Sequence, residues 1–114
     1  MTIRLSPAVL IGAYEFLRAT PPFHRWKLPD SDDVEFRVVR EPLYGFHQEG
    51  DHHIIGISEK KVGHTDTLIA TMAHELIHLH QAMKGTTDKG EHGPEFRKLA
   101  AQVCKLHGFD PKSF

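Results

Sequence analysis

The stretch from Thr65 to Lys84 limits the fold more than any other part of the chain. Leu68, Met72, Leu76, Leu79 and Met83 recur at the three- and four-residue spacing that lines up one face of an α-helix. Thr65 or Asp66 can cap its start, and Gly85 suits the left-handed residue that ends a helix. A helix with one apolar face has to bury that face. In a chain of 114 residues the cover must come from the rest of one small domain, so residues 1–114 read as a single domain. With 39% hydrophobic and 25% charged residues the composition is that of a chain able to form a core.

The remaining segments supply that cover. Ser6-Pro7 is a helix start, followed by Leu10, Tyr14 and Leu17 at helical spacing; Pro21-Pro22 stops this helix near Ala19. Residues 20–33 form a loop that can lay Phe23 and Trp26 against the core. From Val34 to Arg40 apolar and polar residues alternate, the pattern of a half-buried strand. Leu43 to His47 is a second strand candidate and His52 to Ser58, with Ile54, Ile55 and Ile57, a third. Three glycines make residues 85–93 a flexible loop. Pro94 opens a last helix with Phe96, Leu99, Ala100 and Val103 inward, ending near Gly108. The expected fold class is α+β: an N-terminal helix, a small antiparallel sheet, the long helix and a C-terminal helix.

The long helix carries His74-Glu75-Leu76-Ile77-His78, an H-E-x-x-H pattern. Residues four apart on a helix stand one above the other, so His74 and His78 can bind one metal ion from one face. Glu75 is rotated by about 100° from His74, so it borders the metal without having to ligate it. A carboxylate placed there can take a proton from water that the metal activates. Ten histidines make a chance match easy, so the context decides. His74 and His78 fall away from the apolar face, and Thr67 and Thr71 extend their stripe as a polar, open one.

A catalytic zinc site takes three protein ligands and keeps one position open. Candidates for the third are His80, Glu91, His92, Glu95 and His107. His80 points towards the apolar side of the helix, and His107 lies late on the last helix. Glu91 would suit a pattern completed by a carboxylate. His92 is best placed, because the loop lets the chain fold back and the Pro94 helix then fixes it. For the second group that must stabilise a developing oxyanion, Tyr44, His47 and His64 are candidates, and nothing in the sequence selects one. The strand at His52 to Ser58 can offer a backbone edge to an extended peptide.

H-E-L-I-H at 74–78, followed after thirteen residues by His92 within E-H-G-P-E-F at 91–96, resembles the SprT-like metalloprotease family, the SprT/Spartan group. The resemblance is tight over about residues 66–104 and architectural before that. It implies a zincin-like minimal metalloprotease domain, with Zn2+ bound by His74, His78 and His92 and Glu75 as catalytic general base. It implies a zinc metalloendopeptidase, a hydrolase that cuts peptide bonds with metal-activated water, in a family with a member in DNA–protein crosslink repair. Two departures stand out. Glu91 occupies a position where glycine is common, and the single Cys104 excludes the four-cysteine zinc ribbon that often follows this domain.

Charge and hydropathy narrow the partners. A net charge of -1 and scattered basic residues argue against strong direct nucleic-acid binding. Lys60-Lys61 and Arg97-Lys98, the adjacent basic pairs, read as solvated faces. No apolar run reaches membrane-spanning length, so the expectation is a cytoplasmic protein that does not engage a membrane. The expected partner is a protein or peptide substrate, either DNA-associated or unfolded, since so small a domain has little room for a deep specificity pocket. The alternative is a non-enzymatic, zinc-stabilised binding or regulatory module, in which Glu91 or Glu95 closes the fourth position.

Overall fold

A computed structural model describes residues 2–87 and 90–114. It is α+β, with three helices and one three-stranded mixed sheet. Helix α1 covers Pro7–Arg18, strands β1, β2 and β3 cover Val34–Val39, Gly45–Glu49 and His53–Ser58, and helices α2 and α3 cover Thr65–Lys84 and Pro94–His107. Residues 88 and 89, the middle of the expected flexible loop, lie outside the described residues. Among the described residues no helix is long and apolar enough to cross a membrane.

The helices start and stop where their chemistry dictates. Ser6 Oγ accepts a hydrogen bond from Val9 N at 3.2 Å, and Pro7 takes the first helical position of α1. Leu10, Tyr14 and Leu17 are fully buried along one stripe. Each such side chain contributes about 1.5–3 kcal/mol of burial free energy. Helix α2 has His64 at its capping position rather than Thr65 or Asp66; the Asp66 carboxylate instead accepts from Thr67 N in the first turn. Gly85 and Gly108 end α2 and α3 in the left-handed conformation, with φ of 68° and 77°.

Of the stripe expected on α2, Leu68, Met72, Leu76 and Leu79 are buried, while Met83 in the last turn is 46% exposed. Burial extends beyond that stripe to Thr71, Ala73, Glu75, Ile77, His80 and Gln81. The reason is position: α1, α3 and the sheet all pack on α2, so it is the axis of the domain. Phe23 and Trp26 reach the core as expected, edge to face at 5.0 Å.

The sheet corrects the expected antiparallel pairing. The strand order is β1-β3-β2; β2 and β3 pair antiparallel, and β1 and β3 pair parallel. The three strands alternate in direction along the chain, but β3 inserts between the first two, so it runs the same way as β1. Composition explains the insertion. All of β3 from Ile54 to Ser58 is buried, and the strand covered on both faces belongs in the centre. Residues 40–44 bridge the two slots. Tyr44 O accepts from Ser58 N at 2.8 Å, and Glu41 O accepts from Ser58 Oγ at 2.6 Å.

This order also overturns the idea that β3 offers an edge to a peptide. Both of its backbone edges are already paired, and β2 is the outer strand beside α2. The register places Phe36, Val38, Ile55, Ile57, Gly45 and His47 on one face. Phe46 lies on the other face, its ring over Gly56, where a Cβ would meet ring carbon at 2.1 Å. At Gly45 a Cβ would stand 2.8 Å from Gly56 O and 3.0 Å from Thr71 Cγ2. Glycine at that position therefore lets the start of β2 approach α2 one turn before His74.

Candidate metal centre

Helix geometry makes the first half of the site. His74 and His78 stand one turn apart on α2, their ring centroids 5.0 Å from one another. The second half comes from the segment before α3. Gly93 caps that helix and Pro94 begins it, which fixes the preceding His92 over the α2 face. The His92 ring lies 4.9 Å from that of His74 and 5.2 Å from that of His78, with Nε2 of His92 3.0 Å from Nε2 of His74. One ligand nitrogen from each of the three rings falls within 4.8 Å of the others. No other group of three such side chains is gathered this way among the described residues.

Phe96, one turn into α3, is the floor of this cluster. Its ring stacks on His78 at 4.6 Å and tilts against His92 and His74 at 4.7 and 4.9 Å. The sequence marks Phe96 as an inward core residue; its contact with all three imidazoles was not legible there. Its place in the first turn of α3, just after the Gly93 cap that follows His92, is the signal that points to it.

The electrostatics suit a cation. Burial, helped by the neighbouring His78 and His92, brings His74 down to about 4, and burial with His92 also lowers His78. Both imidazoles are therefore neutral at pH 7 and keep a lone pair for a ligand bond. Glu75 is only 3% exposed, and burial together with the charge of Glu91 raises it to about 8. A cation held by the three imidazoles favours its ionised form. Three convergent imidazole nitrogens beside a buried carboxylate fit a divalent metal of zinc's chemistry, both in donor type and in donor number.

A two-armed cleft runs along the open side of α2 and shares Gly45, His74 and Glu75 between its arms. One arm, of about 510 Å3, is bounded by Tyr44, Asp66, Thr67, Thr71 and Phe114. The other, of about 540 Å3, is bounded by His47, Glu49, Glu91 and His92. Thr67 and Thr71 thus face the cleft as their place on the His74/His78 stripe implies, although β2 covers Thr71. Tyr44 and His47 flank Glu75 from opposite arms, while His64 stands at the far start of α2. Nε2 of His47 lies 3.0 Å from Nδ1 of His53, and burial lowers His47 to about 4.

The other candidates sit elsewhere. His80 is buried and stacks on Trp26 at 4.2 Å, and burial with the charge of Lys84 lowers its pKa. Nε2 of His107 lies 2.8 Å from Pro21 O and 3.1 Å from Thr20 Oγ1, tying the end of α3 to the end of α1. Glu91 borders Glu75 and His78 through its charge.

An α+β domain with three histidines and a buried carboxylate around one point has the construction of a metallopeptidase-type domain. The chain belongs to the SprT-like family, whose model matches residues 12–113, nearly its whole length. A comparison with curated proteins gives no match. The family is one of zinc-metalloprotease-type domains, and the residues matched include both the helix and the segment that supply the histidine cluster.

Proposed function

We propose that this chain is a zinc-dependent endopeptidase, with zinc held by His74, His78 and His92 and with Glu75 as general base. The observation that carries the proposal is the convergence of three imidazoles, from α2 and from the segment before α3, beside one buried carboxylate. Three protein donors are the number used by catalytic zinc sites, which leave a position for water or substrate. When bound, zinc supplies a Lewis acid that brings the pKa of water towards neutrality and polarises a carbonyl.

The chain's own residues do the rest. Glu75 takes a proton from the attacking water and returns it to the leaving amine, a shuttle that works best when the carboxylate's affinity is poised near the working pH. Burial provides that poise. An extended peptide can add to β2, the outer strand, which delivers a backbone carbonyl to the His74 and Glu75 junction of the two arms. Tyr44 and His47 stand on either side of that junction as candidate donors to the developing oxyanion. Both arms are open troughs, which suits flexible or unfolded segments of a protein substrate.

Casein cleavage by the zinc-loaded chain, beside Glu75→Gln at equal zinc content, tests this. The wild type should cut and Glu75→Gln should be slower by about 10²–10⁴-fold. Equal cleavage by the two would remove Glu75 from the role of base. A zinc-loaded wild type that cuts nothing, with a protein carboxylate in the fourth metal position, would favour the closed structural module instead.

A further inference from the structure

The two arms of the cleft differ in chemistry. On α2 the first arm reaches back from Glu75 to Asp66, and the second runs forward from His74 to Ala82. Asp66 and Ala82 stand about 24 Å apart along the helix. An extended peptide of about seven residues spans that length, with its middle at the His74 and Glu75 junction. Glu75 is 3% exposed, borders both arms and has no hydrogen-bond partner among the described residues, which marks the junction as a place for a ligand.

Aromatic rings wall the first arm. Tyr44 is 54% exposed there, and Lys61 Nζ lies 5.4 Å from the centre of its ring. Phe114, the other ring, is held in place by two turns and a stack. Cys104 O accepts from Gly108 N at 2.8 Å and from Phe109 N at 3.1 Å, and Asp110 O accepts from Ser113 N at 3.1 Å. His107, bonded to the end of α1, stacks on Phe109 at 5.4 Å, and Phe109 stacks on Phe114 at 5.6 Å. Asp66, the acid of this arm, already accepts from Thr67 N with its carboxylate. With Lys61 over Tyr44, a substrate cation gains little in this arm, whereas a large apolar side chain meets ring surface.

Carboxylates wall the second arm. Glu49 ends β2 and Glu91 precedes His92, and both are exposed. Neither makes an ion pair among the described residues, and none of the described residues lining the two arms is Lys or Arg. A cleft lined by one sign of charge favours the opposite sign in what it binds.

Strand direction orders the two arms. Tyr44 precedes β2 in the first arm, Gly45 borders both, and His47 and Glu49 follow in the second. Antiparallel pairing is the more stable kind, so a peptide that adds to β2 runs the other way. Its N-terminal part then lies in the carboxylate arm and its C-terminal part in the aromatic arm.

We propose that the cleft reads its substrate on both sides of the cut bond: Lys or Arg before it, facing Glu49 and Glu91, and a large apolar residue after it, against Tyr44 and Phe114. The substrate class is thus an unfolded segment in which basic residues are followed by apolar ones. The inference rests on the endopeptidase reading given under Proposed function.

The test uses the zinc-loaded full chain and four quenched-fluorescence peptides with Gly-Ser flanks around Lys-Lys-Phe-Phe, Phe-Phe-Lys-Lys, Glu-Glu-Phe-Phe or Lys-Lys-Ala-Ala. Two residues on each side present both faces of an extended peptide. Mass spectrometry locates the cut, and kcat/KM ranks the peptides. Lys-Lys-Phe-Phe should be cut at its Lys-Phe bond, about 10-fold faster than each of the others. In Glu49→Lys combined with Glu91→Lys, Glu-Glu-Phe-Phe should become the faster of the two peptides that differ in charge. In Phe114→Ala the advantage of Phe-Phe over Ala-Ala should shrink. Each ratio compares two peptides on one protein, so an altered zinc content cancels. A chain that cuts casein but cuts the four peptides equally, cuts none of them or prefers Phe-Phe-Lys-Lys overturns the inference and keeps the endopeptidase reading. These wild-type ratios decide it, so a variant that fails to fold does not protect it. A wild-type charge preference retained in the folded double variant overturns it as well. A wild type that cuts neither casein nor peptides overturns the endopeptidase reading and the inference together.

Discussion

Two groups of histidines look alike at the level of a single contact. On the β2–β3 hairpin, His47 and His53 bring ring nitrogens to 3.0 Å; where α2 meets the start of α3, His74 and His92 do the same. Burial lowers both His47 and His74 to about 4. The difference lies in what surrounds the pair. The α2–α3 corner adds a third imidazole at the helical spacing, a phenylalanine beneath all three rings and a buried carboxylate next to them. The hairpin pair belongs to two neighbouring strands of one sheet face, and no third donor joins it among the described residues. Close nitrogens alone do not make a metal centre. Convergence of donors from separately anchored elements does.

Substitutions can break that contrast, and the largest effect belongs to the corner. His78→Ala should abolish cleavage and weaken zinc binding by more than the roughly 10–100-fold that the loss of an outer partner costs. His53→Leu should leave both nearly unchanged. Chelator competition beside the cleavage assay reads the pair, and equal losses would erase the distinction. Next comes the floor. Phe96→Ala removes a 3% exposed ring and should cost about 3–5 kcal/mol in urea unfolding of the metal-free chain. A loss below about 1 kcal/mol would mean that the three rings do not rest on it.

A smaller effect is set by pH. His74 and His47 titrate near 4 in the folded chain against an ordinary 6.5, so unfolding takes up protons and stability falls as pH drops from 6.5 towards 4. His78 and His80 act in the same direction. Glu75 has the opposite sign: raised from 4.5 to about 8, it is protonated more readily when folded, and stability falls as pH rises through that window. The metal-free chain should therefore be most stable near pH 6.5. It should lose about 1–2 kcal/mol by pH 8, a fall that Glu75→Gln removes. Urea midpoints across pH read this, and a persistent fall in Glu75→Gln would assign it to another group. Smallest of all is His47→Leu, which should change zinc affinity less than about 3-fold while making the metal-free chain less sensitive to acid.

The corner was legible in the sequence because its chemistry is local. His74, Glu75 and His78 are fixed relative to one another by helix geometry alone, and His92 is tied to α3 by Pro94. Ser6, Gly85 and Gly108 mark helix ends through backbone chemistry that also needs no distant partner. The sheet is different. The strands were visible as short apolar segments, but the insertion of β3 between β1 and β2, and with it the parallel pairing of β1 and β3 in place of an all-antiparallel sheet, depends on which strand the whole core covers. Phe114 is the extreme case. Its contact with His74 depends on two turns and an aromatic stack that begins at the end of α1, so no spacing in the sequence announces it.

Zinc content after exhaustive dialysis measures the central claim most directly, with the wild type, His92→Ala and His47→Leu compared side by side. The account predicts one zinc per chain in the wild type and in His47→Leu, and almost none in His92→Ala. Full zinc in His92→Ala, or its loss from His47→Leu, would contradict it.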